Sequence, residues 1–118
     1  MNLQEKLKNV GLIPVVVFKD EKETLPVLKA MEKGDISIAE ICFRTPCAPK
    51  CIKIASKEFG DKFLIGAGTV INAKQAKEAI KCGAKFIISP GLSKGVAKIC
   101  KEQKVPYFPG VATATEIM

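Results

Sequence analysis

Five short runs of apolar residues, rich in β-branched and aromatic side chains, recur at residues 12–18, 36–43, 63–69, 85–91 and 105–110, and their starts lie 20 to 27 residues apart. Each is followed by a segment with helical signals. Strands that are apolar along most of their length and alternate with helices have to be covered on both faces, which is the pattern of a parallel sheet with crossover helices. The chain is therefore expected to be α/β. At 118 residues it is one domain, long enough for a real core.

The helix signals are local and specific. Residues 2–9 form a short leading helix. Asp20 and Glu23 make a capping-box-like pair ahead of an apolar stripe at Leu25, Leu28 and Met31, which stops before Gly34. Thr45 is placed to cap a helix with Pro46 as its first residue, running to Phe59 and closed by Gly60. Asn72 with Gln75 opens the next, which ends at Cys82 and Gly83; another covers residues 93–103, and Thr113 with Glu116 opens a last one.

Two architectures compete for this pattern. A doubly wound, flavodoxin-like domain needs about five strands and this length, whereas a (β/α)8 TIM barrel runs to about 250 residues. Length favours the open sheet. The polar and glycine-rich features favour the barrel, because they collect at successive strand ends: Lys19, Glu40 to Thr45, Gly66 to Thr69, Ser89 to Gly91 and Pro109 to Thr113. Since the helix opened at Thr113 is not completed by Met118, the expectation is a single truncated β/α-barrel domain over residues 1–118. It would carry about the first five β/α units and lack the C-terminal strands. A sheet of that kind exposes the edges of its first and fifth strands, so self-association is expected.

One strand carries charge where a buried strand should not. In Ile36-Ser-Ile-Ala-Glu40-Ile-Cys-Phe-Arg44-Thr45-Pro46, alternation puts Glu40, Cys42 and Arg44 on one face. Burying either charge alone costs several kcal/mol, roughly, so the two either pair with each other or serve a ligand. Arg44 is also the only arginine among 19 basic residues. Its planar, bidentate fork suits a carboxylate or phosphate in a way that lysine does not.

Composition narrows the function classes. No apolar run approaches the roughly 20 residues of a membrane span, and the N-terminus reads as an amphipathic helix rather than a signal peptide, so a cytoplasmic protein is expected. The net charge of +7 comes from lysines spread at helical spacing, with one tyrosine and six phenylalanines for stacking. That is a solvated surface rather than a nucleic-acid footprint. Five cysteines, an odd number with no secretory context, read as reduced thiols; with no histidine and no C-x-x-C spacing, no metal site is expected.

Four segments in order, Ala39-Glu40-Ile-Cys-Phe-Arg44-Thr45, Ile65-Gly-Ala-Gly-Thr69-Val-Ile-Asn, Gly83-Ala-Lys-Phe-Ile-Ile-Ser-Pro90-Gly91 and Val105-Pro-Tyr-Phe-Pro-Gly110-Val-Ala-Thr-Ala-Thr-Glu116, resemble the 2-keto-3-deoxy-6-phosphogluconate (KDPG) and 4-hydroxy-2-oxoglutarate (KHG) aldolase family. The resemblance covers almost the whole chain. It implies a class I aldolase on a (β/α)8 barrel, usually a homotrimer, working on a pyruvate-type 2-oxoacid without metal or cofactor. By position Glu40 matches the family's general acid/base, and Arg44 and Thr69 match the groups that hold the pyruvate carboxylate. The family's Schiff-base lysine lies on the sixth strand, about ten residues beyond Met118, and its phosphate site on later strands. The chain is thus expected to be inactive by itself.

Other readings stay open at this point. Glu40 and Arg44 can be a structural ion pair, and Thr69 a turn residue. Lys19 alone among the lysines ends a strand on the catalytic side, but Asp20 beside it favours its proton. The whole chain can equally be a non-catalytic half-barrel, or a flavodoxin-like module, that binds a small oxoacid or phosphate.

Overall fold

A computed structural model describes residues 2–118. The helix α1 (Leu3–Val10) leads into β1 (Val15–Val16), and four further β/α steps follow: α2 (Thr24–Lys33), β2 (Ile38–Cys42), α3 (Ala48–Phe59), β3 (Leu64–Gly68), α4 (Ala73–Cys82), β4 (Ile87–Ser89), α5 (Lys94–Gln103), β5 (Tyr107–Pro109) and α6 (Ala114–Ile117). The five strands are all parallel and lie in sequence order, β1-β2-β3-β4-β5. That order separates the two architectures weighed above. A flavodoxin-like sheet is wound in both directions from its middle, in the order 2-1-3-4-5, whereas barrel strands follow one another around the wall.

Each face of the sheet has its own core. The outer face, with Ala39, Ile41, Ile65, Ala67 and Ile87, packs on Leu28, Ile52, Ala55, Ala76, Ala79, Val96 and Ile99 from α2 to α5. These helices lie side by side. The inner face carries a smaller cluster, Ile38, Leu64 and Phe86, covered by Leu3, Leu7 and Val10 of α1. Because Ile38 and Leu64 open their strands, α1 closes the N-terminal end of this face. Lys6 holds it there, its Nζ donating to the Lys62 carbonyl at 2.7 Å.

Most caps act as their sequences require. Asn72 accepts from Gln75 N, Thr113 and Glu116 form a capping box, and Gly83 ends α4 in the left-handed region at φ 113°. Asp20 and Glu23 also form their box, around a 3-10 turn over Glu21–Glu23 that precedes α2. The opening of α3 differs from expectation. Thr45 does not cap it; its hydroxyl donates to the Phe18 carbonyl at 2.8 Å, and the Cys47 thiol donates to the same oxygen at 3.2 Å. The turn after β2 is thereby tied to the end of β1, and the helix starts at Ala48 with Pro49 in its first turn. β1 is shorter than residues 12–18 because Pro14 has no N–H and the strand has a neighbour on one side only.

Candidate active site

Glu40 sits in the middle of β2 on the inner face and is 8% exposed. Its backbone is locked on both sides: its N–H donates to the Pro14 carbonyl, and β2 pairs with β3 from Ile38 to Cys42. Burial pushes the carboxyl above its ordinary value, and the Arg44 guanidinium partly opposes that rise. A carboxyl that keeps its proton to higher pH is the kind that gives and takes protons near neutrality.

Arg44 departs from the expectation that it shares a buried face with Glu40. β2 ends at Cys42, and Arg44 stands exposed in the turn that follows. Among the described residues no ion pair joins the two; Arg44 acts on Glu40 only through its field. The pairing reading of these charges therefore fails, and the guanidinium is left facing solvent at the strand ends.

Thr69 follows the last residue of β3 and adopts φ 56°. Among the described residues, three non-glycine residues have positive φ. Lys104 caps the C-terminus of α5 and Asp35 follows the end of α2, where left-handed residues are common. Thr69 is the β-branched one and the only one at a strand end, a conformation that costs about 1–3 kcal/mol and persists when its surroundings impose it. They do so here: the Gly68 carbonyl accepts from Phe43 N at 2.8 Å, and Val70 N donates to the Ile88 carbonyl at 3.2 Å. The twist turns the Thr69 hydroxyl toward Cys42 Sγ, 3.7 Å away, on the residue between Glu40 and Arg44 in the β2 alternation. Arg44 and Thr69 thus stand just past neighbouring ends of β2 and β3, with Glu40 two residues before the end of β2.

Two further features lie in segments the sequence marked only as strand ends, Gly66 to Thr69 and Ser89 to Gly91, without a role for their residues. Gly68 lies directly beneath Glu40: a Cβ built on it would overlap the Glu40 carboxylate. On the next strands, Ser89 Oγ donates to the Gly91 carbonyl at 2.6 Å and lies 2.6 Å from the Tyr107 hydroxyl, which accepts from Ser93 N at 3.1 Å. This chain of bonds fastens the loop between β4 and α5 to β5. Residue spacing gave no sign of it, because Tyr107 reaches across 14 to 18 positions. Among the described residues, no three His, Cys, Asp or Glu side chains converge as a metal site would require, and no helix is long and apolar enough to cross a membrane.

Parallel β/α units in sequential order, with polar groups gathered where the strands end, define a β/α-barrel protein, of which this chain carries about the first five units. The profile of the KDPG and KHG aldolase family matches residues 3–118, and the chain belongs to that family. The 2-dehydro-3-deoxy-phosphogluconate aldolase of Treponema pallidum (strain Nichols) is 40% identical over 113 residues, which is 96% of this chain and 53% of that protein. A crystal structure of the 2-keto-3-deoxy-6-phosphogluconate aldolase of Zymomonas mobilis ZM4 with 3-phosphoglycerate superposes at a TM-score of 0.88 and 36% identity, over 99% of this chain and 55% of that one. The KDPG aldolase of Legionella pneumophila, with pyruvate captured at low pH as a covalent carbinolamine, superposes at 0.84 and 39% identity, over 90% and 51%. The chain spans about half the length of the curated relatives it matches.

Proposed function

We propose that this chain supplies the acid/base and carboxylate-binding part of a class I aldolase. The reaction is cleavage of 2-keto-3-deoxy-6-phosphogluconate to pyruvate and glyceraldehyde 3-phosphate, or of 4-hydroxy-2-oxoglutarate to pyruvate and glyoxylate. Glu40 moves protons while a lysine amine adds to the keto carbon and water leaves, forming the iminium that draws electrons from the breaking carbon–carbon bond. Arg44 and Thr69 hold the carboxylate of the 2-oxoacid. The lysine itself comes from the strand that follows these five in the family.

The observation that carries this reading is the buried Glu40 carboxyl, its pKa raised, on the strand next to the one whose end presents the Thr69 hydroxyl from a strained backbone. The pyruvate adduct in the Legionella relative adds support from chemistry of the same kind. The protein is proposed to act in the cytoplasm as a single β/α domain, in a homo-oligomer such as the family's trimer. Val15, Val17 and Phe108 are partly exposed, and β1 and β5 are unpaired on one side, which supports association through these surfaces.

The test is reconstitution. The chain is mixed with the C-terminal half of a family relative, and cleavage of both substrates is followed by pyruvate release. Cleavage should appear only in the mixture, and Glu40→Gln should lower kcat by about 10²- to 10⁴-fold, the usual worth of a general acid/base. A Glu40→Gln mixture as fast as the parent overturns the assignment.

A further inference from the structure

Gly66 and Gly68 both face the inner side of β3, and each is occupied by a different neighbour. β2 and β3 pair with Glu40 opposite Gly66 and Cys42 opposite Gly68. Across the other edge Ala67 pairs with Ile87, so Phe86 flanks Gly66 one residue earlier. Glu40, Gly66 and Phe86 therefore form one row. The Phe86 ring lies in the space that a Gly66 side chain would take, and the Glu40 side chain, instead of standing over its own register partner, reaches two residues forward along β3 to lie over Gly68. There Oε1, Cδ and Cγ of Glu40 are the three atoms nearest to a Cβ built on Gly68.

We infer that Gly68 is a positioning residue for Glu40: the side chain it lacks is the space that aims the carboxylate toward the strand ends, where Thr69 and Arg44 stand. The inference rests on the assignment of Glu40 as the acid/base and deepens it. Glycine inside a strand weakens it and marks a site of close approach, which β3 accepts here twice in three residues. The Phe86 ring over Gly66 removes the alternative placement, so the two glycines divide the face between an apolar floor and an acid above it. The groups that bear on the carboxyl are few. Arg44 acts on it from the turn after β2, β1 brings apolar Val15 as its register partner, and β3 brings the uncharged Gly66 and Gly68.

The test uses the 118-residue chain and follows the Glu40 carboxyl carbon by NMR through a pH titration. In the parent the midpoint should lie above the ordinary carboxylate value. In Gly68→Ala it should fall back to that value, because the added methyl turns the carboxylate out to water; in Gly66→Ala, which meets Phe86 instead, it should stay where the parent has it. An unchanged midpoint in Gly68→Ala, or an equal fall in both variants, overturns the inference. If Gly68→Ala does not fold, Glu40→Ala is combined with it. Recovery of a cooperative unfolding transition in the double variant supports the inference, and a double variant as damaged as Gly68→Ala overturns it. Failure of the acid/base assignment shows separately, as a Glu40→Gln reconstituted enzyme that keeps its rate while the titration result stands.

Discussion

Thr69 Oγ1 points at Cys42 Sγ from 3.7 Å, from a backbone in the left-handed region at φ 56°. A β-branched residue held there has exchanged stability for the direction of a hydroxyl. Replacing it with glycine relieves that strain, about 1–3 kcal/mol, and costs about 0.5–1 kcal/mol in backbone entropy. Thr69→Gly is therefore expected to unfold at the same or higher denaturant while binding pyruvate more weakly in the reconstituted enzyme. Urea unfolding and the pyruvate affinity check the two halves. A loss of stability above about 2 kcal/mol contradicts the strain.

The pH dependence follows from Glu40. Burial raises its folded-state pKa, so the protonated side chain suits the fold better than the ionised one. The stability this confers is complete below the unfolded-state value of about 4.3 and is lost as pH climbs through the folded-state pKa. Glu40→Gln is neutral throughout. Its Tm is expected to match the parent's near pH 4, roughly, and to rise above it as pH increases through that window. A parallel pair of Tm curves would contradict a raised pKa.

Arg44 opposes the rise. Its guanidinium lowers the pKa that burial raises, without touching the carboxylate. Arg44→Gln should move the Glu40 midpoint further up, and Arg44→Lys should leave it near the parent value while weakening pyruvate binding, because an ammonium cannot grip a carboxylate with two parallel bonds. The titration and a binding isotherm separate charge from geometry.

Cys51 should be inert. It has no exposed surface, and burial pushes its thiol up to about 11. The thiolate is the nucleophile, so alkylation of the native chain at about pH 8 should spare Cys51, with all five cysteines reacting after unfolding. Peptide mapping after iodoacetamide reads this directly.

What the sequence disclosed depended on how local the cause was. The capping box at Thr113 and the Asn72 cap are made within four residues and form as written, whereas the Asp20 box, equally local, closes on the 3-10 turn Glu21–Glu23 ahead of α2. The recurrence of apolar runs disclosed the strands, and the polar and glycine-rich features at their ends favoured the barrel, whose sequential strand order the sheet has. Thr45 misled because its hydroxyl found the Phe18 carbonyl, 27 residues away, and not the nearby helix N–H groups. Arg44 misled because alternation holds only while the strand lasts, and β2 ends two residues before it. Gly68 was visible as part of Gly66-Ala-Gly68 but had no assignable use until the register showed which neighbour lies over each glycine.

We propose that Glu40, Arg44 and Thr69 serve a lysine supplied from outside these 118 residues. Incubation with pyruvate and borohydride, followed by mass spectrometry, tests it most directly, since reduction makes any iminium permanent. The chain alone should yield no adduct, and the mixture with a relative's C-terminal half should yield one, on a lysine of that half. A stoichiometric adduct on Lys19 or any other lysine of this chain would contradict the claim.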